Sequence, residues 1–144
     1  MNMNKKEALE FLSLHQPMPA DCDITQDLID KYDEVRIYFL SHPDKDAIPL
    51  FLRSFGEGDG LGVYQIVEDF LYKCDFNDVV INIVNILENP NTIKSVRLWC
   101  TILTMSFPDK RMVNGLKISA QSHDEDIHDM ALLGLKLIEE KFPI

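Results

Sequence analysis

The chain has 144 residues and a mass of 16.6 kDa; 46% of the residues are hydrophobic and 26% are charged. Its 24 acidic and 14 basic residues give a formal net charge of −10, which argues against a nucleic-acid binder, because phosphate contacts need a basic surface. This length predicts a single domain, 1–144, that needs no metal or disulfide, and the apolar content excludes a disordered chain. No apolar run approaches the roughly 18–20 residues that cross a bilayer, so no membrane partner is expected.

The chain start and the cysteines indicate a compartment. Residues 1–7 carry charge but no apolar segment or cleavage site, so a secretory signal is not expected and the default location is the cytoplasm. The cysteines, Cys22, Cys74 and Cys100, form an odd and widely spaced set. Such a set favours reduced thiols over a disulfide framework.

The acidity is concentrated in the first half of the chain. From Asp21 to Asp69 there are twelve acidic and four basic residues, which give a net charge of −8. Residues 73–144 hold ten acidic and eight basic residues, a net charge of −2. One interpretation is a solvated surface that keeps the protein soluble. The other is a docking surface for a basic protein partner.

Apolar residues recur at helical spacing along the chain. The pattern predicts a short helix near 5–14, a helix over 28–40 with Thr25 or Asp23 as N-cap and Pro43 after its end, and a helix over 46–55. Further helices are predicted after the glycine-rich segment at 56–62, after the turn at 89–91, after Pro108 and after the polar break at 122–124. Their apolar stripes are Val63, Ile66, Val67, Phe70, Leu71 and Cys74; Val79, Val80, Ile83, Ile86 and Leu87; Val96, Trp99, Cys100, Leu103 and Phe107; Met112, Val113, Leu116 and Ala120; and Ile127, Met130, Ala131, Gly134, Leu135 and Ile138. No segment shows a period of two between hairpin signals, so the predicted class is all-α.

The predicted helices repeat. Pro43-Asp44-Lys45 recurs 65 residues later as Pro108-Asp109-Lys110, and Asp75-Phe76-Asn77 occupies the corresponding turn between them. The helices after these turns align as three antiparallel hairpins of 31–33 residues over 44–142, with residues 1–43 as N-terminal capping helices. Because a helical hairpin cannot bury its apolar face alone, such units stack into a solenoid. The alternative is an amphipathic bundle with loose self-similarity.

Two resemblances follow from these patterns. The run from Val79 to Asn91, followed by Ser95-Val96-Arg97-Leu98-Trp99-Cys100, resembles a HEAT repeat, whose second helix opens with Val-Arg and then a small residue. His128 and Tyr64 stand where the family has arginine, so the resemblance implies only a partial Asp–Arg ladder between repeats. Four runs are similar to small bacterial HEAT-like proteins, some of which look like immunity proteins of polymorphic toxin systems: Tyr32-Asp33-Glu34-Val35-Arg36, Ile48 to Leu52, Ser54 to Gly60, and Gly62 to Gln65.

The glycine-rich segment Gly56-Glu57-Gly58-Asp59-Gly60-Leu61-Gly62 does not fit a phosphate loop. Its spacing matches neither G-x-G-x-x-G nor a P-loop, no strand precedes it, and its two acids would repel phosphate. It fits a turn between helices, with Asp59 near the N-terminus of the next helix. Its four glycines exceed what a turn needs, so a contribution to a binding site stays open.

Other motifs indicate neither a metal nor catalysis. The segment after Asp21 has Gln26 and Tyr32 where a calcium loop needs glycine and glutamate. The acidic and histidine residues at 123–129 lack zinc spacing, so they are predicted to cap the last helix. Cys74 and Cys100 lie on apolar stripes and are predicted to be inert core thiols; no catalytic residue and no cofactor is expected.

The candidate partner-binding residues lie on the loop and the helix after it. Trp99 is predicted to be core, with an exposed anchor as the alternative. The second helices of a HEAT-like stack line its concave face, so the side chains off the apolar stripe there are candidate contacts: Tyr64, Gln65, Glu68, Asp69 and Tyr72. Glu57 and Asp59 of the glycine-rich segment are candidate contacts as well. Tyrosines supply contact area and acids steer a basic protein, although a solvated helix face would look the same.

These observations predict a protein-binding module without catalysis. Its most specific form is a cytoplasmic immunity protein that neutralises a basic toxin domain, such as a nuclease. The alternative is a structural adaptor in a larger complex. A HEAT-like DNA-repair or lyase-type enzyme is less well supported, since the chain lacks a basic groove and a catalytic set. The oligomeric state stays open.

Overall fold

The computed structural model describes residues 3–143, and all regular secondary structure in that range is helical. The α-helices are α1 (Lys5–Ser13), α2 (Gln26–Ser41), α3 (Ala47–Leu52), α4 (Val63–Lys73), α5 (Phe76–Glu88), α6 (Lys94–Leu103), α7 (Val113–Ala120) and α8 (Glu125–Lys141), with 3-10 turns at Gly60–Gly62 and Lys110–Met112. The prediction of an all-α chain is therefore confirmed. None of the helices within 3–143 is both long and apolar enough to cross a membrane.

Side-chain caps determine where several helices begin. Thr25 caps α2, its hydroxyl accepting from the Leu28 amide at 3.2 Å, so of the two predicted caps Thr25 is right and Asp23 is wrong. Asp124 caps α8 in the same way through the Ile127 amide at 3.0 Å. This agrees with the prediction that the acids at this break cap the last helix.

Helix α3 is shorter than predicted because the chain turns to meet another segment. It ends at Leu52 instead of Phe55. The Ser54 hydroxyl lies 2.6 Å from the Phe51 carbonyl and 2.6 Å from the Tyr32 hydroxyl, and the Ser54 carbonyl accepts from the Met18 amide at 2.9 Å. Beyond Leu52 the chain thus bonds to α2 and to the segment after α1 instead of continuing the helix, and Phe55 itself stays buried as predicted.

The chain divides into two compact units, Met1–Asp78 and Val79–Ile144. In the first unit α1 packs on α3 and α2 packs on α4. The ring centroids of Tyr32 and Tyr64 are 5.6 Å apart and those of Phe39 and Phe70 are 5.8 Å apart. Helices α2 and α4 therefore run parallel, and a residue of α2 lies beside the one 31–32 positions later in α4.

Aromatic rings fill the core of the first unit. Phe51 on α3 contacts the rings of both Tyr32 and Phe39 on α2, with centroid distances of 6.0 and 5.9 Å. It also lies 4.9 Å from Phe70 on α4. Edge-to-face and tilted ring contacts of this kind join all three helices in one buried cluster.

The second unit has a matching arrangement, with α8 packed on both α6 and α7. Lys94 and Asp124, at the starts of α6 and α8, form an ion pair at 3.0 Å, and a Cβ on Gly134 of α8 would lie 2.9 Å from the Thr104 hydroxyl. These contacts make α6 and α8 parallel with an offset of 30 residues. All five residues of the stripe predicted for α5 are buried, whereas Trp99 is only half-buried.

Candidate functional site

The structure exposes most of the predicted contact residues. Glu57, Asp59, Gln65, Asp69 and Tyr72 are exposed, and Glu68 is half-buried. Two belong to the glycine-rich loop and the others to α4, all within the first unit.

The placement of Tyr64 on the exposed side of α4 is wrong, because its side chain is only 2% exposed. Its ring lies 5.6 Å from that of Tyr32 and 5.4 Å from that of Phe55, both edge-on. Burial raises the pKa of its hydroxyl. With this large ring turned into the core, the buried face of α4 is rotated from the predicted stripe, and Ile66, predicted to be buried, is 37% exposed.

Asp21 holds the glycine-rich loop in place. Its carboxylate accepts from the backbone amides of Asp59 at 3.0 Å and Gly60 at 2.9 Å, and its own amide donates to the Glu57 carbonyl at 2.9 Å. A Cβ at Gly58 would clash with the Asp21 carboxylate. This close approach explains a glycine that a simple turn would not need.

The loop presents one leucine to solvent in a strained conformation. Leu61 has φ 54° and ψ 34°, the left-handed region that favours glycine, and it is 50% exposed. Asp59 stabilises this turn by accepting from the Gly62 amide at 3.3 Å.

Exposed acids and two exposed isoleucines lie on the outer sides of α2 and α4. From the parallel register, Ile37 of α2 is level with Asp69 along the helix axes, and Ile66 of α4 is level with Glu34. The two isoleucines are therefore offset by about one helical turn along the axes, and they are 51% and 37% exposed. Asp30 and Glu34 are exposed on the α2 side. We call these residues, with Gln65 and Tyr72, the α2–α4 face.

Few cations offset the charge of this face. The unit Met1–Asp78 contains sixteen acidic and seven basic residues, a net charge of −9, against −1 for the rest of the chain. Arg36 is occupied by Asp33 at 2.7 Å, and Lys31 pairs weakly with Glu34 at 3.9 Å. No cation among residues 3–143 forms an ion pair with Asp30 or Asp69.

Sequence reasoning identified the α4 half of this face and missed the α2 half. A signal was present, because Val35-Arg36 in α2 repeats the Val96-Arg97 pair of α6. Both arginines are buried on helices that pack parallel to a later helix. This match identifies α2 as the counterpart of α6, and therefore predicts an exposed α2 surface beside that of α4.

A groove of about 840 Å³ lies in the second unit, bordered by the turns after α5 and α7. Arg97 lines it but is already occupied, donating to the Leu87 carbonyl at 3.0 Å, the Asn89 carbonyl at 2.6 Å and the Ser119 hydroxyl at 2.7 Å. Lys94 pairs there with Asp124. Arg97, Lys94 and Asp124 thus serve the fold within this groove.

The described residues contain no cluster of three or more His, Cys, Asp or Glu side chains arranged to hold a metal ion. Cys22 is exposed, Cys100 is buried, and Cys74 is half-buried. Burial, with smaller effects from Asp78 and Asp44, raises the pKa of the Cys74 thiol to about 11, so it is protonated and weakly nucleophilic at neutral pH.

Comparison of the chain with protein-family models, curated proteins and solved structures found no match in any of the three.

Proposed function

We propose that this chain is a protein-binding module without catalysis, and that it binds a basic protein through the α2–α4 face. The observation that carries the proposal is the exposure of Ile37 and Ile66 on two packed helices that also expose Asp30, Glu34 and Asp69. Binding energy at protein interfaces is concentrated in a few central side chains that a polar rim shields from water. The acids of the rim select a partner with lysines and arginines and speed its approach.

The architecture we propose is a short HEAT-like solenoid. Helical pairs α1–α2 and α3–α4 stack with like helices in contact, and so do α6 and α8. The offset of 31–32 residues matches the repeat of 31–33 in the sequence, and the offset of 30 is one residue shorter. The arginines depart from the family pattern, since Arg36 pairs with Asp33 of its own helix and Arg97 binds carbonyl and hydroxyl oxygens.

In its most specific form, the proposal is that the chain is an immunity protein for a basic toxin domain. This form rests on the sequence resemblance. An acidic face is also suited to it, because masking a basic domain requires complementary charge and shape rather than catalytic groups.

The test takes as candidate partner any basic protein encoded by a gene adjacent to that of this chain. Co-expression with that protein is expected to restore growth of cells that it otherwise kills. The affinity of the purified pair is expected to fall about tenfold or more for Asp30→Lys with Asp69→Lys, mainly at low salt. The matched control is Glu10→Lys with Glu88→Lys, two exposed acids off the face that change the net charge equally.

Different outcomes test the immunity role, the α2–α4 face and the choice of partner separately. Binding without protection of growth would overturn the immunity role and leave an adaptor. Equal loss of affinity in both double variants would overturn the α2–α4 face as the contact. Absence of any binding would overturn the choice of partner, and with it the immunity form.

A further inference from the structure

The outer side of α8 carries an exposed leucine pair between opposite charges. Leu132 and Leu133 are 48% and 50% exposed at the middle of this helix, and Asp129 and Lys136 are exposed one turn before and after them. At 100° per residue all four point away from the buried side of α8, which consists of Ile127, Ala131, Gly134 and Ile138. Neither Asp129 nor Lys136 forms an ion pair within residues 3–143.

We propose that this side of α8 binds α8 of a second copy of the chain, antiparallel, about a two-fold axis between Leu132 and Leu133. In that register Leu132 faces Leu133 of the second copy, and Asp129 faces Lys136 of the second copy. Symmetry makes each contact twice, as in the isologous interface of a homodimer. This proposal is independent of the basic partner, because it uses the second unit.

The charges on α8 favour a second copy of the chain as the partner and an antiparallel orientation of its helix. A parallel pairing about a two-fold axis would place Asp129 against Asp129 and Lys136 against Lys136, whereas the antiparallel pairing joins opposite charges. The unit Val79–Ile144 carries a net charge of −1 against −9 for the first unit, so overall charge opposes its association with a copy of itself less than it would oppose that of the first unit.

The same register limits the strength of the dimer. Glu125 would face Glu140 of the second copy at both ends of the helix, where like charges repel. Helix α8 has 17 residues and is about 25 Å long, so its single face buries less than the roughly 1,200 Å² of a stable interface. The dimer is therefore a weak one that forms at high protein concentration.

Sedimentation of the full chain from about 10 µM to about 1 mM tests this interface. The average mass is expected to rise with concentration above 16.6 kDa, and to stay at the monomer value for Leu132→Glu with Leu133→Glu. The matched control is Leu14→Glu on an exposed leucine of the first unit, which is expected to leave association unchanged. Circular dichroism verifies that each variant is folded.

A charge exchange tests the register. Asp129→Lys or Lys136→Asp alone is expected to weaken association about tenfold, because each replaces two attractive contacts by two repulsive ones. The double variant Asp129→Lys with Lys136→Asp is expected to restore association. A restoration within one chain is excluded, because the two positions are seven residues apart in the helix and too distant to pair. A monomer at every concentration, an equal effect of Leu14→Glu, or no restoration in the double variant would each overturn the proposal.

Discussion

Two buried arginines illustrate how single residues hold this fold. Arg36 is 8% exposed and pairs with Asp33, whereas Arg97 is 6% exposed and its guanidinium satisfies the carbonyls of Leu87 and Asn89 at the end of α5. The last carbonyls of a helix have no partner within it, so a donor placed there stabilises the helix end. Burial lowers the pKa of Arg97, but an arginine remains charged at any physiological pH.

Leu61 is the residue whose backbone conformation conflicts most with its side chain. Replacing Leu61 by glycine is expected to raise the free energy of unfolding by about 0.5–1 kcal/mol relative to Leu61→Ala, because glycine adopts a φ of 54° without the clash of Cβ. Urea denaturation of the two variants measures the difference.

The control for Leu61 is Leu14, an exposed leucine whose φ is −81°. There the order is expected to reverse, with the glycine variant less stable than the alanine variant by about 0.5–1 kcal/mol, since glycine only loses entropy on folding. The same sign at both positions would contradict the assignment of strain to Leu61.

At the scale of elements, the glycine-rich loop is tied to the connection between α1 and α2. Gly58→Ala is expected to destabilise the protein by about 2 kcal/mol or more, because its φ is 101° and the new Cβ would meet the Asp21 carboxylate. Gly62→Ala is the matched variant: φ is 93°, yet no atom lies within 4 Å of its Cβ, so a loss of about 1 kcal/mol is expected. Thermal and urea unfolding measure both, and equal losses would contradict the contact with Asp21.

The sequence predicts elements best where local pattern and packing agree. The α5 stripe is correct to the residue, since its five positions recur at helical spacing and all five are buried. In α4 the pattern misplaced Tyr64 and Ile66, because a tyrosine is neutral in a helical pattern and only the neighbouring rings of Tyr32 and Phe55 decide its burial. The early end of α3 depends likewise on a distant segment, through Met18 and Ser54.

For the whole molecule, charge and pH are linked to stability through a few carboxylates. The Lys5 ammonium, 2.7 Å away, lowers the pKa of Asp44, Arg111 lowers that of Asp109, and the Ile127 amide lowers that of Asp124. A carboxylate with a lowered folded pKa contributes stability above its ordinary pKa, and this contribution is lost as the pH falls through the folded value.

The free energy of unfolding is therefore expected to fall below about pH 4, where these carboxylates become protonated. Asp44→Asn is expected to reduce stability at pH 7 and to make the loss on acidification shallower. Glu140→Gln removes an exposed carboxylate that forms no ion pair among residues 3–143, and should leave the curve unchanged. Urea unfolding from pH 7 to pH 3 measures the free energy of unfolding of the wild type and of both variants. Parallel curves for Asp44→Asn and the wild type would contradict a stabilising role of the Asp44 carboxylate.

The sequence predicts the negative charge of the candidate site, but of its two helices it predicts only the residues of α4. The acidic segment is visible in composition alone, and the exposed residues of α4 follow from its amphipathic pattern. The α2 half, with Ile37 and Asp30, depends on α2 and α4 lying parallel, which rests on ring contacts between residues 31–32 positions apart. Spacing within one helix carries no information about such a contact.

Hydrogen bonds to other segments hold the connection between α1 and α2, and this affects proteolysis and protein engineering. The twelve residues from Leu14 to Thr25 lie outside any helix, yet Gln16 donates to the Leu50 carbonyl at 2.9 Å, Met18 is buried, and Asp21 binds the loop before α4. A long connection of this kind would ordinarily be the first place for a protease to cut or for an engineer to insert a tag. Here the bonds of Asp21 join the two loops, so a cut or an insertion in either one is expected to loosen the other.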